Sequence, residues 1–262
     1  MAPIEAVAEV CPAGVLVVVG LFGLAIGSFL NVVIARVPAG RSLAFPGSAC
    51  PGCSAPLVWY DNIPVLSYLM LRGRCRSCGM RISRRYPIVE SVTAILLVLA
   101  YAAFGPSADF LVALVLLPAL VATTAIDLDH QMIPDAITLP GIPVGFLMNV
   151  ATGRISWLEA LIGIGIGGGL FFVIILLSRG GMGGGDLKLG AMLGAFLGWQ
   201  ALLVGLFIAV MLGGMLAVVL LASRRVARKD AIPFGPFLAI GGAAALFWSD
   251  AILAWYVGGF ER

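Results

Sequence analysis

Charged side chains are scarce in this sequence: 11% of its 262 residues are Asp, Glu, Lys or Arg, against 61% hydrophobic, where a soluble domain carries roughly 25% charged residues. That scarcity excludes water as the main solvent. The formal net charge of +3 is too small to draw the chain to a polyanion, so no nucleic-acid partner is expected. Met1 to Val10 contains Glu5 and Glu9 but no Lys or Arg. Without the basic flank of a cleavable signal peptide, the first apolar run is expected to remain as a span. The only histidine is His130; no nucleophile pairs with it in the sequence, so it reads as a surface or hydrogen-bonding residue.

What is abundant is apolar sequence in runs long enough to cross about 30 Å of hydrocarbon. These runs cover 12–36, 87–104, 110–126, 136–151, 158–177, 189–222 and 234–257. As one straight helix the run 189–222 would rise about 51 Å, well beyond the bilayer core, so it either leaves the membrane or turns back near Trp199 and Gln200. Arginine placement decides between the two. Arg36, Arg41, Arg72, Arg74, Arg76, Arg81, Arg84 and Arg85 flank or occupy 37–86, which the positive-inside tendency assigns to the cytoplasm. The basic stretch Arg224 to Lys229 shares that side only if 189–222 crosses twice. The expected fold is therefore an all-α polytopic membrane protein of about eight transmembrane helices, with both termini outside. Gly163, Gly165, Gly167, Gly168 and Gly169 fit it, because small residues let helices approach closely in lipid.

Residues 37–86 form the one sizeable soluble segment, too short to fold well without a staple. Two C-x2-C pairs, Cys50 with Cys53 and Cys75 with Cys78, stand 21 residues apart within it. The spacing is close to the zinc pattern, in which each knuckle directs two thiolates at one tetrahedral ion. Neighbouring Arg74 and Arg76 favour the thiolate form. Zinc bound by Cys50, Cys53, Cys75 and Cys78 is the expected arrangement; two disulfides, four reduced thiols and an iron–sulfur cluster are the other readings. A closed four-thiolate site leaves no position for substrate, so it holds a loop together rather than doing chemistry. Cys11 is left over and reads as a buried small hydrophobe.

Chemistry is sought instead in two acidic clusters that the crossing count puts at one membrane face. One is the run Asp127, Leu128, Asp129, His130 to Asp135 after the third span; the other is Gly183-Gly184-Gly185-Asp186-Leu187-Lys188 before the sixth. Ionisable residues at span boundaries are costly unless solvated, paired or functional. Two carboxylates brought together share one proton, the arrangement by which aspartic proteases activate water and protonate the departing amide. The bland readings stand beside this one. Asp135, after Pro134, reads equally as a helix cap, Asp129 as a partner of the acidic site or a solvated residue, and Lys188 as an ordinary cytoplasmic charge or a counterion to the acidic site. An ion or proton pathway is the rival use of the same acids.

Taken together, these motifs resemble one family. Gly27-Ser28-Phe29-Leu30-Asn31-Val32, the paired cysteines with Asp61-Asn62-Ile63-Pro64 and Tyr86-Pro87-Ile88-Val89-Glu90, the Asp127 to Asp135 run, Gly181 to Leu189, and Pro233-Phe234-Gly235-Pro236-Phe237 occur in the order and spacing of the bacterial type IV prepilin peptidases. The resemblance implies an aspartic endopeptidase of the bacterial inner membrane that removes the leader of type IV prepilins and type II secretion pseudopilins after a glycine. It implies Asp127 and Asp186 as the catalytic pair, Asp127 being selected by its position six residues before Ile133. It also implies methylation of the new amino terminus with S-adenosylmethionine as donor. The sequence has no glycine-rich nucleotide fold for that donor, and Asn31, Asp61, Asn62 and Glu90 mark where to look. The domains expected are a first transmembrane helix over 1–36, a cytoplasmic zinc-stabilised four-cysteine loop over 37–86 and a transmembrane peptidase domain over 87–262. Gly183-Gly184-Gly185-Asp186 also satisfies the G-x-G-D of presenilin-like intramembrane proteases, which leaves that lineage and an ion transporter as alternatives.

Overall fold

The computed structural model describes residues 13–178, 183–223 and 233–260. Cys11 and the basic stretch 224–229 lie outside them. Among the described residues eight α-helices run in chain order: α1 Ala13–Arg36, the short α2 Leu66–Met70, α3 Arg85–Phe104, α4 Ala108–His130, α5 Asp135–Thr152, α6 Trp157–Ser178, α7 Gly184–Ala222 and α8 Gly235–Phe260. The described residues contain no strand, only the isolated bridges Ala49 to Pro56 and Arg74 to Arg81. Six of these helices, α1, α3, α4, α6, α7 and α8, are long and apolar enough to cross a membrane. Large apolar side chains such as Val18, Phe22, Phe207, Met215 and Val218 are more than half exposed, as expected of helices solvated by lipid.

The chain divides into two compact units, Met1–Ala122 and Thr123–Arg262, with the division falling inside α4. In the first unit α1 packs on α3. A Cβ at Gly23 would lie 2.7 Å from the Ala94 Cα and one at Gly27 2.6 Å from the Glu90 Cα. Two glycines four residues apart on one helical face thus let the backbones meet, with dispersion as the attractive term in lipid. The loop then hangs on the end of α1, where the Arg36 guanidinium donates to the carbonyls of Ser42 (2.9 Å) and Pro46 (2.6 Å).

In the second unit α7 is two helices merged across a break at Gly198, whose φ of 77° and ψ of 172° lie outside helical space. Only glycine adopts that conformation without strain. The packing register shows that the chain reverses there. In the first arm Gly190 meets Gly167 and Gly194 meets Gly163, so it runs antiparallel to α6; Leu193 packs on Gly242 of α8. In the second arm Gly205 faces Gly241 and Ala245, whereas Gly213 faces Phe234 and Phe237, so numbering rises along α7 as it falls along α8. The turn expected near Trp199 is therefore present one residue earlier. With the arms counted separately and α5 added, there are eight long helical segments among the described residues. Of the glycines expected to admit close packing, Gly163 and Gly167 do so and Gly168 makes ordinary contact, while Gly165 and Gly169 have nothing within 4 Å.

A helix break frees backbone carbonyls that must find donors. The Asn149 side chain of α5, fully buried, donates to the carbonyls of Ala195 (2.8 Å) and Phe196 (3.0 Å), and Arg154 donates to Phe196 as well (3.0 Å). Asn149→Leu leaves the Ala195 carbonyl without its donor, and Phe196 with Arg154 alone, at a cost of about 2 kcal/mol. The expected outcome is a lower Tm for the purified protein with its membrane insertion unchanged.

Candidate active site and metal centre

Three helix ends converge on the acidic residues of the second unit. Asp127 lies in the last turn of α4 and Asp186 in the first turn of α7; they are 5% and 9% exposed. They stand 59 residues apart in sequence, yet the fold brings them near enough for the charge of one to be felt by the other. The third end is that of α8: the Gly235 N–H donates to the Asp127 Oδ2 at 3.0 Å. A Cβ at Gly235 would sit 2.5 Å from that oxygen and 3.1 Å from the Asp127 Cγ, so a glycine is what allows the carboxylate to dock. At α7 the Asp186 N–H closes on the Gly183 carbonyl at 3.2 Å. A Cβ at Gly185 would lie 2.7 Å from the Ile133 Cβ, whereas one at Gly184 would meet nothing within 4 Å, so it is Gly185 that lets the start of α7 close on the segment following Asp127. Asp186 is thereby placed where a helix presents unpaired N–H groups, an electropositive end suited to an acid.

The other acids separate from this pair. Asp135 is exposed and forms an ion pair with Lys188, with Nζ 2.6 and 2.7 Å from its two oxygens. It makes no capping bond, because Pro134 holds the cap position of α5. Lys188 therefore answers Asp135. Asp129 and His130 are exposed at the end of α4. Gly235 enters the sequence reading only as part of Pro233-Phe234-Gly235-Pro236-Phe237, with no role attached; proline behind a glycine at a helix start is its one local signal.

In the first unit the two cysteine pairs form matching knuckles. The Cys50 N–H donates to the Ala55 carbonyl (2.9 Å) and the Ser54 N–H to the Cys50 carbonyl (2.8 Å). Twenty-five residues on, the Cys75 N–H donates to Met80 (2.8 Å) and the Gly79 N–H to Cys75 (3.0 Å). The residue after each second cysteine takes positive φ, 56° at Ser54 and 71° at Gly79. All four Sγ atoms lie within 4.8 Å of one another, with Cys50 and Cys78 3.8 Å apart, and no disulfide joins them. A tetrahedral zinc at about 2.3 Å from each sulfur spaces its ligands by roughly 3.75 Å, so the donor set fits the ion. Backbone N–H groups of Cys53 and Gly52 hold the Cys50 thiol down at about 6. At Cys78 the Met80 N–H favours the thiolate, but desolvation and the three neighbouring cysteines together push it up to about 11. Without a cation the cluster thus favours one thiolate at the expense of another.

Beside the knuckles lies a cavity of about 550 Å³ whose wall includes Ser28, Asn31, Asp61, Asn62, Arg76 and Glu90. Arg76 grips Asp61 with Nη2 2.6 Å and Nε 3.1 Å from Oδ1, and stacks 5.3 Å over the Tyr60 ring. The Arg76 hydrogen bond holds the Asp61 carboxyl below the usual carboxylate range.

Comparison with known proteins covers both units. Residues 21–104 match the bacterial peptidase A24 N-terminal domain, and residues 114–218 match the type IV leader peptidase family. A prepilin leader peptidase/N-methyltransferase of Aeromonas hydrophila is 42% identical over 92% of this chain and 93% of its own length. Proteins of the same description from Legionella pneumophila (38% identical; 92% and 94% covered) and Pseudomonas putida (37%; 93% and 94%) align as fully. No solved structure matches the chain. With near-full-length relatives at this identity, and the conjunction of motifs that the sequence displays, the chain belongs to the type IV leader peptidase family.

Proposed function

We propose that this protein is a membrane aspartic endopeptidase that cuts the leader from type IV prepilins or type II secretion pseudopilins after a glycine, and then N-methylates the new amino terminus. The observation carrying the reading is that two buried aspartates, remote in sequence, lie near one another where three helix ends converge. Asp127 and Asp186 share one proton over an attacking water: one takes the proton from water as it adds to the scissile carbonyl, and the other protonates the departing nitrogen. The arginines of loop 37–86, with the count of crossings, support a site at the cytoplasmic face of the inner membrane. A prepilin's basic leader meets its apolar helix at that depth, so cleavage there needs no deep water channel. On this reading the chain is organised as a first helix over 1–36, a loop domain over 37–86 and a peptidase domain over 87–262.

Zinc held by Cys50, Cys53, Cys75 and Cys78 keeps the loop folded, and S-adenosylmethionine supplies the methyl group from the neighbouring cavity. Since metal binding is the folding energy of so small a segment, exhaustive chelation is expected to release about one zinc per chain and to open 37–84 to added protease. Methyl transfer should fall further than cleavage.

The test of the reading is incubation of the purified protein in detergent with a prepilin peptide and isotopically labelled methyl donor. Mass spectrometry should find one cut after a glycine at the junction of basic leader and apolar segment, with the label on the new amino terminus. A cut inside the apolar segment would instead indicate presenilin-like proteolysis, and ion flux without any cut would indicate a transporter.

A further inference from the structure

Two buried acceptors line the cavity of the first unit: the Glu90 carboxylate, with no cation among its partners, and the Asn31 Oδ1, with no donor. Glu90, in the second turn of α3, is 6% exposed. Its Oε2 accepts the Val65 N–H at 2.7 Å, and the Ser28 and Asn31 side chains are its other polar neighbours. All three are neutral. A buried carboxylate held by neutral donors alone retains a large unmet attraction for a cation. Asn31 is 3% exposed; its Nδ2 donates to the Tyr86 carbonyl at 3.1 Å, and its Oδ1 has no donor at all. Such an orphan acceptor is uncommon inside a protein and points to a missing partner. Backbone strain marks the same place, for Val65 takes a φ of 59° to direct its N–H at Glu90, a conformation that a β-branched residue adopts only under compulsion.

The basic residues on the cavity wall are Arg36, Arg76, Arg81 and Arg85. Arg36 is engaged by loop carbonyls, Arg76 by Asp61, and Arg85 lies over the Tyr86 ring. None of them is among the groups bonded to Glu90.

We infer that Glu90 and Asn31 form a seat for an aliphatic primary ammonium. One such group answers both deficits at once, its charge matching the Glu90 carboxylate and one N–H filling the Asn31 Oδ1. A metal ion fits poorly, since the hard divalent ions ask for six or more oxygens or retained waters. The inference deepens the methyltransferase half of the function above, and two participants in that reaction carry the required group. One is the amino terminus of the freshly cut pilin; the other is the amino-acid end of the methyl donor.

The test separates these sources and does not depend on turnover alone. Binding of S-adenosylhomocysteine, which keeps the donor's ammonium but has a neutral sulfur, is measured by calorimetry on the full-length protein in detergent. The KM for a mature, unmethylated pilin amino-terminal peptide is measured in parallel. With Glu90→Gln, one of the two constants is expected to weaken at least tenfold while gel-filtration profile and Tm stay near the parent's. A weaker Kd identifies the donor's ammonium; a raised KM with unchanged Kd identifies the pilin amino terminus. Should Glu90→Gln fail to fold, Asn31→Leu, which removes the orphan acceptor together with the amide that donates to Tyr86, is expected to weaken one of the same two constants at least tenfold. Both constants remaining within twofold of the parent in a folded variant would overturn the seat. Failure of the methyltransferase reading itself looks different: the unaltered protein would neither bind S-adenosylhomocysteine nor label the pilin.

Discussion

Asp127→Asn and Asp186→Asn are each expected to reduce prepilin cleavage by about a thousandfold or more, the scale on which loss of a positioned acid or base acts. The amide has almost the volume of the acid and keeps hydrogen-bonding capacity, so the surrounding helices have little reason to move. In Asp127→Asn the side-chain carbonyl could still accept the Gly235 N–H, and in Asp186→Asn the backbone N–H could still close the first turn of α7. What both variants lose is an oxygen able to carry a proton to or from the reacting centre. The loss should therefore fall on kcat, with KM for the prepilin little changed. Methylation of an already processed pilin peptide should persist, because the groups proposed for it lie in the first unit. A variant that lost both activities together would indicate global damage rather than removal of a catalytic group.

The second large effect is expected at Gly235. Its hydrogen is replaced in Gly235→Val by a branched side chain whose first carbon would already stand 2.5 Å from the Asp127 Oδ2. Backbone at a helix start does not yield easily, so the carboxylate must swing away and lose its 3.0 Å bond from the Gly235 N–H. A displacement on the order of 1 Å at a reacting group costs about a hundredfold in rate. Gly235→Ala, with the smaller intrusion, should fall between the parent and Gly235→Val. The graded series, read as initial cleavage rates, distinguishes a positioning role from a structural one: Tm should vary far less across it than rate.

Much of the fold was legible because lipid imposes a length on every span. The apolar runs 12–36, 87–104 and 158–177 became Ala13–Arg36, Arg85–Phe104 and Trp157–Ser178. A run of 34 residues that could not cross once had to turn, and it does at Gly198, whose φ of 77° no composition could announce beside the other glycines of the run. The cysteine knuckles were legible because two ligands of one turn are a local pattern. Pairing across the fold was harder. Asp135 reads locally as a cap, yet Lys188, 53 residues away, claims it. Asp127 depends on Gly235, 108 residues away, through a backbone N–H that carries no residue-specific signal. Asn31, Asp61, Asn62 and Glu90 were marked only as a neighbourhood; the structure gathers all four on one cavity wall, and shows that Asp61 is engaged by Arg76 while Glu90 has only neutral donors. That distinction needs coordinates, because burial and counterion are properties of the packed loop and not of its motifs.

If Asp127 and Asp186 act as one unit, their losses do not multiply. The decisive measurement is the cleavage rate of the double variant Asp127→Asn with Asp186→Asn beside each single one, on the same prepilin and with pilin methylation confirming an intact protein. The pairing predicts that the double variant is as inactive as either single variant and no worse. Leader removal by the double variant that is much faster than by either single variant, or losses that multiply as for two independent sites, would contradict it.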